Sequence, residues 1–219
     1  METEAKLAFK NRDDLYGLSS SDFFRSFITG APVSEPVLLE NTYLDTADMD
    51  ITRRGGMIRV RHYRKSGEDS FEFTVKYGGG VSGSIHKRYE WNVKSDDGRF
   101  SVEGFKKNIS DEEDPQSILS EAFGTINDGD LKILCSNSFT RTVYELSYGE
   151  SSIEACFDSG IISSPDGSAT DEICELELEL IKGTTDDLIK LSGLIEETTG
   201  CTPFSDTKYR RTLALATGK

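Results

Sequence analysis

The chain begins METEAKLAFK (Met1–Lys10), and in it Glu2, Glu4, Lys6, Ala8 and Lys10 alternate with Thr3, Ala5, Leu7 and Phe9. Successive side chains of a β-strand stand on opposite faces. The spacing therefore predicts a strand with one largely apolar face and, on the other, two carboxylates and an ammonium roughly 7 Å apart. A solvated strand face carries mixed charge with no chemical consequence. The row acquires meaning only if the pattern recurs elsewhere.

It recurs along most of the chain. MIRVRHY (57–63) sets Arg59 and Arg61 against Ile58, Val60 and His62, and SFEFTVKY (70–77) sets Glu72, Thr74 and Lys76 against Phe71, Phe73, Val75 and Tyr77. IHKRYEWNV (85–93) opposes His86, Arg88, Glu90 and Asn92 to Lys87, Tyr89, Trp91 and Val93. FTRTVYEL (139–146) separates Arg141, Val143 and Glu145 from Tyr144 and Leu146, and SIEACFDSG (152–160) groups Glu154, Cys156 and Asp158. EICELELELIKG (172–183) points Glu175, Glu177 and Glu179 away from Leu176, Leu178 and Leu180. With PVLLENTYLD (36–45), about eight strands are expected.

Helical spacing appears in three places. DDLYGLSSSDFFRSFI (13–28) reads as a helix pair or a kinked helix, with a serine-rich start signal in its middle. PQSILSEAF (115–123) is short, and TTDDLIKLSGLIEETTG (184–200) has a threonine N-cap, acids in its first turn and Gly200 as its stop. Gly78, Gly79 and Gly80 precede no helix, so they read as a hairpin connection rather than a phosphate loop. The stretch from Asp96 to Asp130 is acidic and weakly patterned, a variable excursion.

Composition narrows the function. With 219 residues and no linker rich in Ser, Pro or Gly, one domain over 1–219 is expected. No apolar run approaches the roughly 18 residues of a membrane span, and the charged start lacks a signal-peptide core, so a soluble cytoplasmic protein is expected. The four cysteines are scattered, without a C-x-x-C pair, and read as free buried thiols. A net charge of −14 repels nucleic acid and anionic membrane unless the cations are gathered in one place. No sequence feature sets an oligomeric state.

Whole strands carry one sign. The Glu175, Glu177, Glu179 ladder and the Arg59, Arg61 ladder repel internally, whereas an ordinary exposed sheet face gains from opposite charges across strands. Such ladders call for bound counter-charge. Carboxylates suit Mg²⁺ or Mn²⁺, and arginines grip phosphate through a bidentate fork. A mainly β (α+β) fold, a closed antiparallel eight-stranded tunnel barrel with helices packed on its outside, puts both ladders in one lumen.

In this order, the segments resemble the CYTH superfamily of triphosphate tunnel metalloenzymes. The family's ExExK is present as Glu2, Glu4 and Lys6, its YxDT within TYLDT (42–46), its LRxR as IRVR (58–61), its T-x-K as TVK (74–76), its ELELEL intact, and its S-K-x-x-R as TKYRR (207–211). VSGSIHKRYEWNV (81–93) and ICELELELIKG (173–183) look most like the bacterial inorganic triphosphatase subgroup. Phe139 stands where several members have Lys, and Thr207 replaces Ser.

The resemblance implies a metal-dependent hydrolase that cleaves inorganic triphosphate, or another linear phosphate anion, to pyrophosphate and phosphate. Glu177 and Glu179 would hold one Mg²⁺ or Mn²⁺; Glu2, Glu4 and Asp158 would hold or orient a second, with Glu2, Glu4 and Lys6 as the catalytic group. Lys6, Arg59, Arg61, Lys76, Arg88, Arg141, Lys208 and Arg211 would bind the phosphates. Glu154 and Glu175 fall toward a tunnel mouth, His62 and His86 are structural, and Tyr43 and Asp45 anchor a turn at the rim. Competing readings are a CYTH-type adenylyl cyclase, a thiamine or nucleoside triphosphatase, and a polyphosphate-binding module without turnover. No aromatic box for a thiazole and no base or sugar pocket is recognisable in the sequence.

Overall fold

The computed structural model describes residues 1–30, 35–65, 68–83, 85–109 and 116–218. The alternating segments form strands β1 (Glu2–Ala8), β2 (Val37–Asp45), β3 (Gly56–Lys65), β4 (Glu68–Ser82), β5 (Ile85–Ser95), β6 (Lys132–Tyr148), β7 (Ser151–Ser163) and β8 (Thr170–Lys182). Their order around the sheet is β5-β4-β3-β2-β6-β7-β8-β1, every pairing is antiparallel, and β1 pairs back onto β5 from Glu2↔Arg88 to Ala5↔Ile85. The result is the closed eight-stranded barrel expected from the one-signed rows. A short β9 (Thr202–Pro203) adds to β1 beyond its β5 contact.

Most of the apolar core lies outside the barrel wall. Outward-facing Ala5, Leu7, Phe157, Leu176 and Leu178 pack against Leu15, Leu18, Phe24, Leu188, Leu191 and Ile195 of helices α1 (Arg12–Ser20), α2 (Asp22–Arg25) and α6 (Thr185–Thr199). On the other side Ile58, Val60, Phe73, Val75 and Trp91 pack beneath α3 (Asp50–Arg53), α4 (Val102–Asn108) and α5 (Gln116–Phe123). Burial of these outer faces explains why the polar faces are left to point inward. Part of the excursion expected over 96–130 thus covers β3–β5 through Val102, Phe105, Leu119 and Phe123; helical spacing announces α5, whereas α4 is seven residues with two buried side chains, too short to show a period.

Local signals place the helices. Ser21 ends α1 and caps α2, its Oγ accepting from Phe24 N. Thr184 Oγ1 accepts from Asp187 N to start α6, and Gly200 ends it at φ 71°. Thr184→Ala is expected to lower stability by about 1 kcal/mol, the usual cost of a lost N-cap, as checked by urea unfolding. An unchanged midpoint would show that packing alone positions this helix.

One turn assignment is corrected. Gly78–Gly80 do not make the hairpin connection; they form a bulge inside β4, where the register with β5 shifts between Tyr77 and Gly80. Gly79 has φ 93°, and a Cβ there would stand 1.9 Å from the Lys87 carbonyl oxygen. The strand can approach β5 only without a side chain at that point.

The C-terminal helix α7 (Lys208–Thr217) packs into the barrel against β6, β7 and β8. Leu215 meets Val37, Leu39, Phe139, Ile162 and Ile173, while the Tyr209 ring lies against Tyr43, centroids 4.8 Å apart. Asp45 anchors the following turn: its Oδ1 accepts from Thr46 N and Ile51 N, and its Oδ2 from Thr52 N and Oγ1. All four cysteines are free and buried.

Candidate active site

The inward faces enclose a cavity of about 260 Å³. Its acids are Glu2, Glu4, Glu72, Glu90, Glu154, Glu177 and Glu179; its cations are Lys6, Arg59, Arg61, Lys76, Arg88, Arg141 and Lys208. A chain of net charge −14 has therefore assembled a lumen in which formal charges balance. The two signs are unevenly arranged. Register puts Glu4 opposite Glu179 and Glu179 opposite Glu154, three carboxylates in a row across β1, β8 and β7. Arg59, Arg61 and Arg141 come together elsewhere, close enough that Arg59 and Arg141, together with burial, hold the Arg61 guanidinium below its ordinary pKa.

Cations brace much of the acidic wall. Lys6 Nζ is 2.5 Å from Glu177 Oε1 and 3.3 Å from Glu4 Oε1. Lys76 Nζ donates to both oxygens of Glu2 at 2.9 and 2.8 Å and lies 2.6 Å from Glu90. Arg88 Nη2 donates to Glu4 Oε1 at 3.2 Å. Glu177 shows the net effect: burial alone would raise its carboxyl, but Lys208, Lys6 and Arg141 hold it well below the usual range. The same balance holds Lys208 well above its ordinary value, burial opposing and Asp158, Glu175 and Glu177 prevailing.

Lys6 and Lys76 likewise hold Glu4 below its ordinary value against burial, and Lys76 does so for Glu90, whereas Glu179 and Glu2 go the opposite way. Burial pushes Glu179 up to about 7, with Glu90, Glu154 and Glu4 adding to the rise and Lys76 opposing it. Burial likewise pushes Glu2 up to about 8 against the pull of Lys76, with Glu4 and Glu90 contributing. An acid whose folded-state pKa lies above its unfolded value binds more protons when folded, so its contribution to stability is lost as pH rises through that range. Metal-free protein is thus expected to melt lower at pH 8.5 than at pH 5.5; Lys6, Lys76 and Lys208, raised from 10.5, keep their contribution throughout. Thermal melts in chelator check this, and a melting temperature that rises with pH would contradict the assigned crowding.

The donor chemistry of this wall fits a hard divalent cation. Carboxylate oxygens crowd one arc, burial and mutual repulsion raise the pKa of Glu179 and Glu2 there, and Mg²⁺ or Mn²⁺ would offset that crowding with positive charge. Among the described residues no three acidic, cysteine or histidine side chains already stand close enough together to hold a metal ion. Glu2, Glu4, Glu154, Glu177 and Glu179 instead line an open wall.

Two sequence-expected residues do not line this cavity. Asp158 is fully buried, both oxygens taken by Arg141 at 2.7 and 2.6 Å, with Lys208 Nζ 2.9 Å from Oδ2. It neutralises two cations from behind. Arg211 lies one turn along α7 from Lys208 and bonds Glu175, Asp171 and the Glu172 carbonyl oxygen beside a separate pocket. Glu175, 1 % exposed, binds Lys208 Nζ at 2.6 Å and also stays off the cavity wall. His86 is buried, Nε2 against the Phe204 carbonyl oxygen at 3.1 Å, and His62 lies between Glu40 and Asp69.

Several lining residues were not singled out from sequence. Glu72, Glu90 and Asn92 share strand rows with Lys76 and Arg88, so the alternation itself could have named them. Tyr63, Phe139 and Tyr209 line the lumen as aromatic floor, with Arg141 and Lys208 over the Phe139 ring at 5.7 and 5.1 Å. The same alternation sets Tyr63 beside Arg61 and Phe139 beside Arg141, whereas Tyr209 lies on α7, where no strand period applies.

With this geometry in place, known proteins offer a comparison. The chain matches the CYTH domain over residues 18–213. It is 27% identical over 155 residues to an inorganic triphosphatase of Haemophilus influenzae, covering 69% of this chain but 38% of that protein. Among solved structures, a proposed adenylyl cyclase of Hippeastrum, described with a dominant triphosphatase activity, superposes with a TM-score of 0.66 at 16% identity, covering 100% of this chain and 97% of that one. A protein of Pyrococcus horikoshii OT3 superposes with a TM-score of 0.54 at 16% identity, covering 97% and 98%. These structural likenesses bear on fold alone, and no helix among the described residues is long and apolar enough to cross a membrane. A lumen lined by these rows, the barrel that encloses it and a match spanning most of its length together place the chain in the CYTH domain family.

Proposed function

We propose that the chain hydrolyses inorganic triphosphate to pyrophosphate and phosphate in this lumen, with a divalent cation as cofactor, in the cytoplasm. The observation that carries this reading is the charge balance of the cavity wall, seven acids against seven cations. A triphosphate brings roughly four to five negative charges. Entering alone, it would leave the lumen strongly negative; about two divalent ions at the Glu2, Glu4, Glu177, Glu179 wall would offset it.

Arg59, Arg61 and Arg141 grip phosphate oxygens, and Lys6, Lys76, Arg88 and Lys208 neutralise the rest of the chain. Water attacks a terminal phosphorus, the bridging P–O bond breaks, and pyrophosphate leaves with the bond's electron pair. When bound, the cation draws charge from phosphate oxygens and lowers the pKa of its water. Glu2 and Glu4 orient the attacking side, and Lys6 exchanges Glu177 for phosphate oxygen as charge builds. Positioning and charge stabilisation supply most of the rate.

One observation favours a second reading. A chamber of about 570 Å³ adjoins the lumen, sharing Met57, Lys76, Arg88, Thr207 and Tyr209 with it and lined also by Met49, Leu213 and Ala214. It offers apolar space beside the phosphates that the sequence did not reveal, suited to the organic group of a nucleoside or thiamine triphosphate. Phosphate release from triphosphate, ATP, thiamine triphosphate and long-chain polyphosphate, with Mg²⁺ or Mn²⁺ and in excess chelator, separates the readings. Triphosphate is expected to exceed ATP about tenfold in kcat/KM. Undiminished release in chelator would overturn the metal-dependent mechanism, and faster release from an organic triphosphate would favour the second substrate.

A further inference from the structure

Arg61 is 6 % exposed, and among the described residues no carboxylate pairs with it. Its Nε donates to Asn41 Oδ1 at 2.9 Å and its guanidinium lies over the Tyr63 ring at 5.8 Å. The amide it meets is the first of a series. Asn41 Nδ2 donates to Asn137 Oδ1 at 2.9 Å across the β2–β6 pairing, Asn137 Nδ2 donates to Thr212 Oγ1 at 2.7 Å, and Thr212 Oγ1 donates to the Lys208 carbonyl oxygen at 2.6 Å. Asn41, Asn137 and Thr212 are 1, 7 and 2 % exposed.

The polarity of this series is set from both ends. A guanidinium only donates, so Asn41 must present its oxygen to Arg61 and its NH₂ to Asn137. The Lys208 carbonyl only accepts, so the Thr212 hydroxyl proton goes there and its lone pair receives Asn137. Turning Asn41 over would set donor against donor at Arg61 and acceptor against acceptor at Asn137, and turning Asn137 over would set its NH₂ against that of Asn41. The two asparagines and α7 therefore determine where a buried guanidinium points that has Glu72 across the sheet but no carboxylate in direct contact among the described residues.

We infer that Asn41, Asn137 and Thr212 are a positioning relay that aims Arg61 into the lumen, so that the seating of α7 sets the strength of the phosphate grip. None of the three lines the lumen, so none touches a phosphate bound there. The relay rests on the proposed anion-binding role of Arg61, and it makes the C-terminal helix part of substrate recognition rather than a cover.

The test uses Thr212→Val, which keeps the side-chain shape and removes the hydroxyl, with Thr212→Ser as the conservative rescue and Asn41→Asp as an independent probe. In Thr212→Val, calorimetric Kd for inorganic triphosphate and KM are expected to rise about tenfold with kcat within about twofold, while Thr212→Ser behaves like the parent. Asn41→Asp gives Arg61 a carboxylate partner and replaces the donor to Asn137 Oδ1 by an acceptor, so triphosphate affinity is expected to fall at least as far, in protein shown by its melting curve to be folded. Restoration of affinity by Thr212→Ser, with loss in both folded variants that disturb the series, would not arise from a purely structural network.

Exchange of the Arg61 Nε–H with water, followed by NMR without substrate or metal, reads the relay independently of any activity. Its protection is expected to fall in Thr212→Val and to persist in Thr212→Ser. Unchanged protection in Thr212→Val, or unchanged triphosphate Kd in a folded Asn41→Asp protein, would overturn the relay. Absence of triphosphate binding by the parent protein would instead overturn the proposed function, with Arg61 protection still deciding the relay.

Discussion

Glu179→Gln is expected to lower turnover of triphosphate by roughly two orders of magnitude, the scale seen when one group that stabilises developing charge is removed. Glu179 sits between Glu4 and Glu154 in the cross-strand row, and its carboxyl is pushed up to about 7 by burial and by neighbouring acids. The amide keeps the shape and removes the charge that a divalent ion requires. Metal-free Glu179→Gln is expected to melt no lower than the parent, because like charges directly opposite one another destabilise a sheet. Steady-state phosphate release and thermal melts on the same preparation check both halves. Parent-level turnover at saturating metal would remove Glu179 from the metal wall, and a large fall in melting temperature would mean that the carboxylate is held by contacts other than repulsion.

Lys208→Met is expected to act in the opposite sense, costing about 3–5 kcal/mol of stability, because it leaves buried carboxylates short of a cation. Lys208 Nζ lies 2.9, 2.6 and 2.9 Å from Asp158, Glu175 and Glu177, and the first two carboxylates are 0 and 1 % exposed. Methionine retains the length and the contact with Phe139 but none of the charge. The loss is expected to shrink toward acidic pH, where the stranded carboxylates take up protons. Urea unfolding at pH 7 and pH 4 measures it. A cost below about 1 kcal/mol at pH 7 would place Lys208 among solvent-screened surface pairs, whose contribution is of that size.

The contrast between these substitutions follows from where α7 lies. As a terminal segment Lys208 and Arg211 could have been surface cations; in the barrel, Lys208 is the counter-ion of three acids and one turn later Arg211 serves Asp171 and Glu175 away from the lumen. Lys208 therefore lines the lumen in which triphosphate is proposed to bind, and Arg211 does not. The adjoining chamber owes its apolar lining to the same helix, through Leu213 and Ala214.

The sequence by itself determined the barrel strands and, for all but β2, which face looks inward. A pleated strand alternates its side chains by local geometry alone, so METEAKLAFK, MIRVRHY, SFEFTVKY and ICELELELIKG each declared an apolar and a charged face without reference to the rest of the chain. One-signed rows then implied enclosure, and Glu2, Glu4, Lys6, Arg59, Arg61, Lys76, Arg88, Arg141, Glu177 and Glu179 all reach the lumen. The tertiary structure alone decided how deep along the tunnel each row counts and what closes it. Asp158 shares its strand face with Glu154 and Cys156, yet it ends behind the lumen because Arg141 and Lys208 claim both its oxygens. The Asn41–Asn137–Thr212 series joins residues from β2, β6 and α7 that no local pattern relates. Periodicity reports a neighbour's face over a few residues; ion-pair partners 33 or 171 residues apart meet only once the barrel has closed.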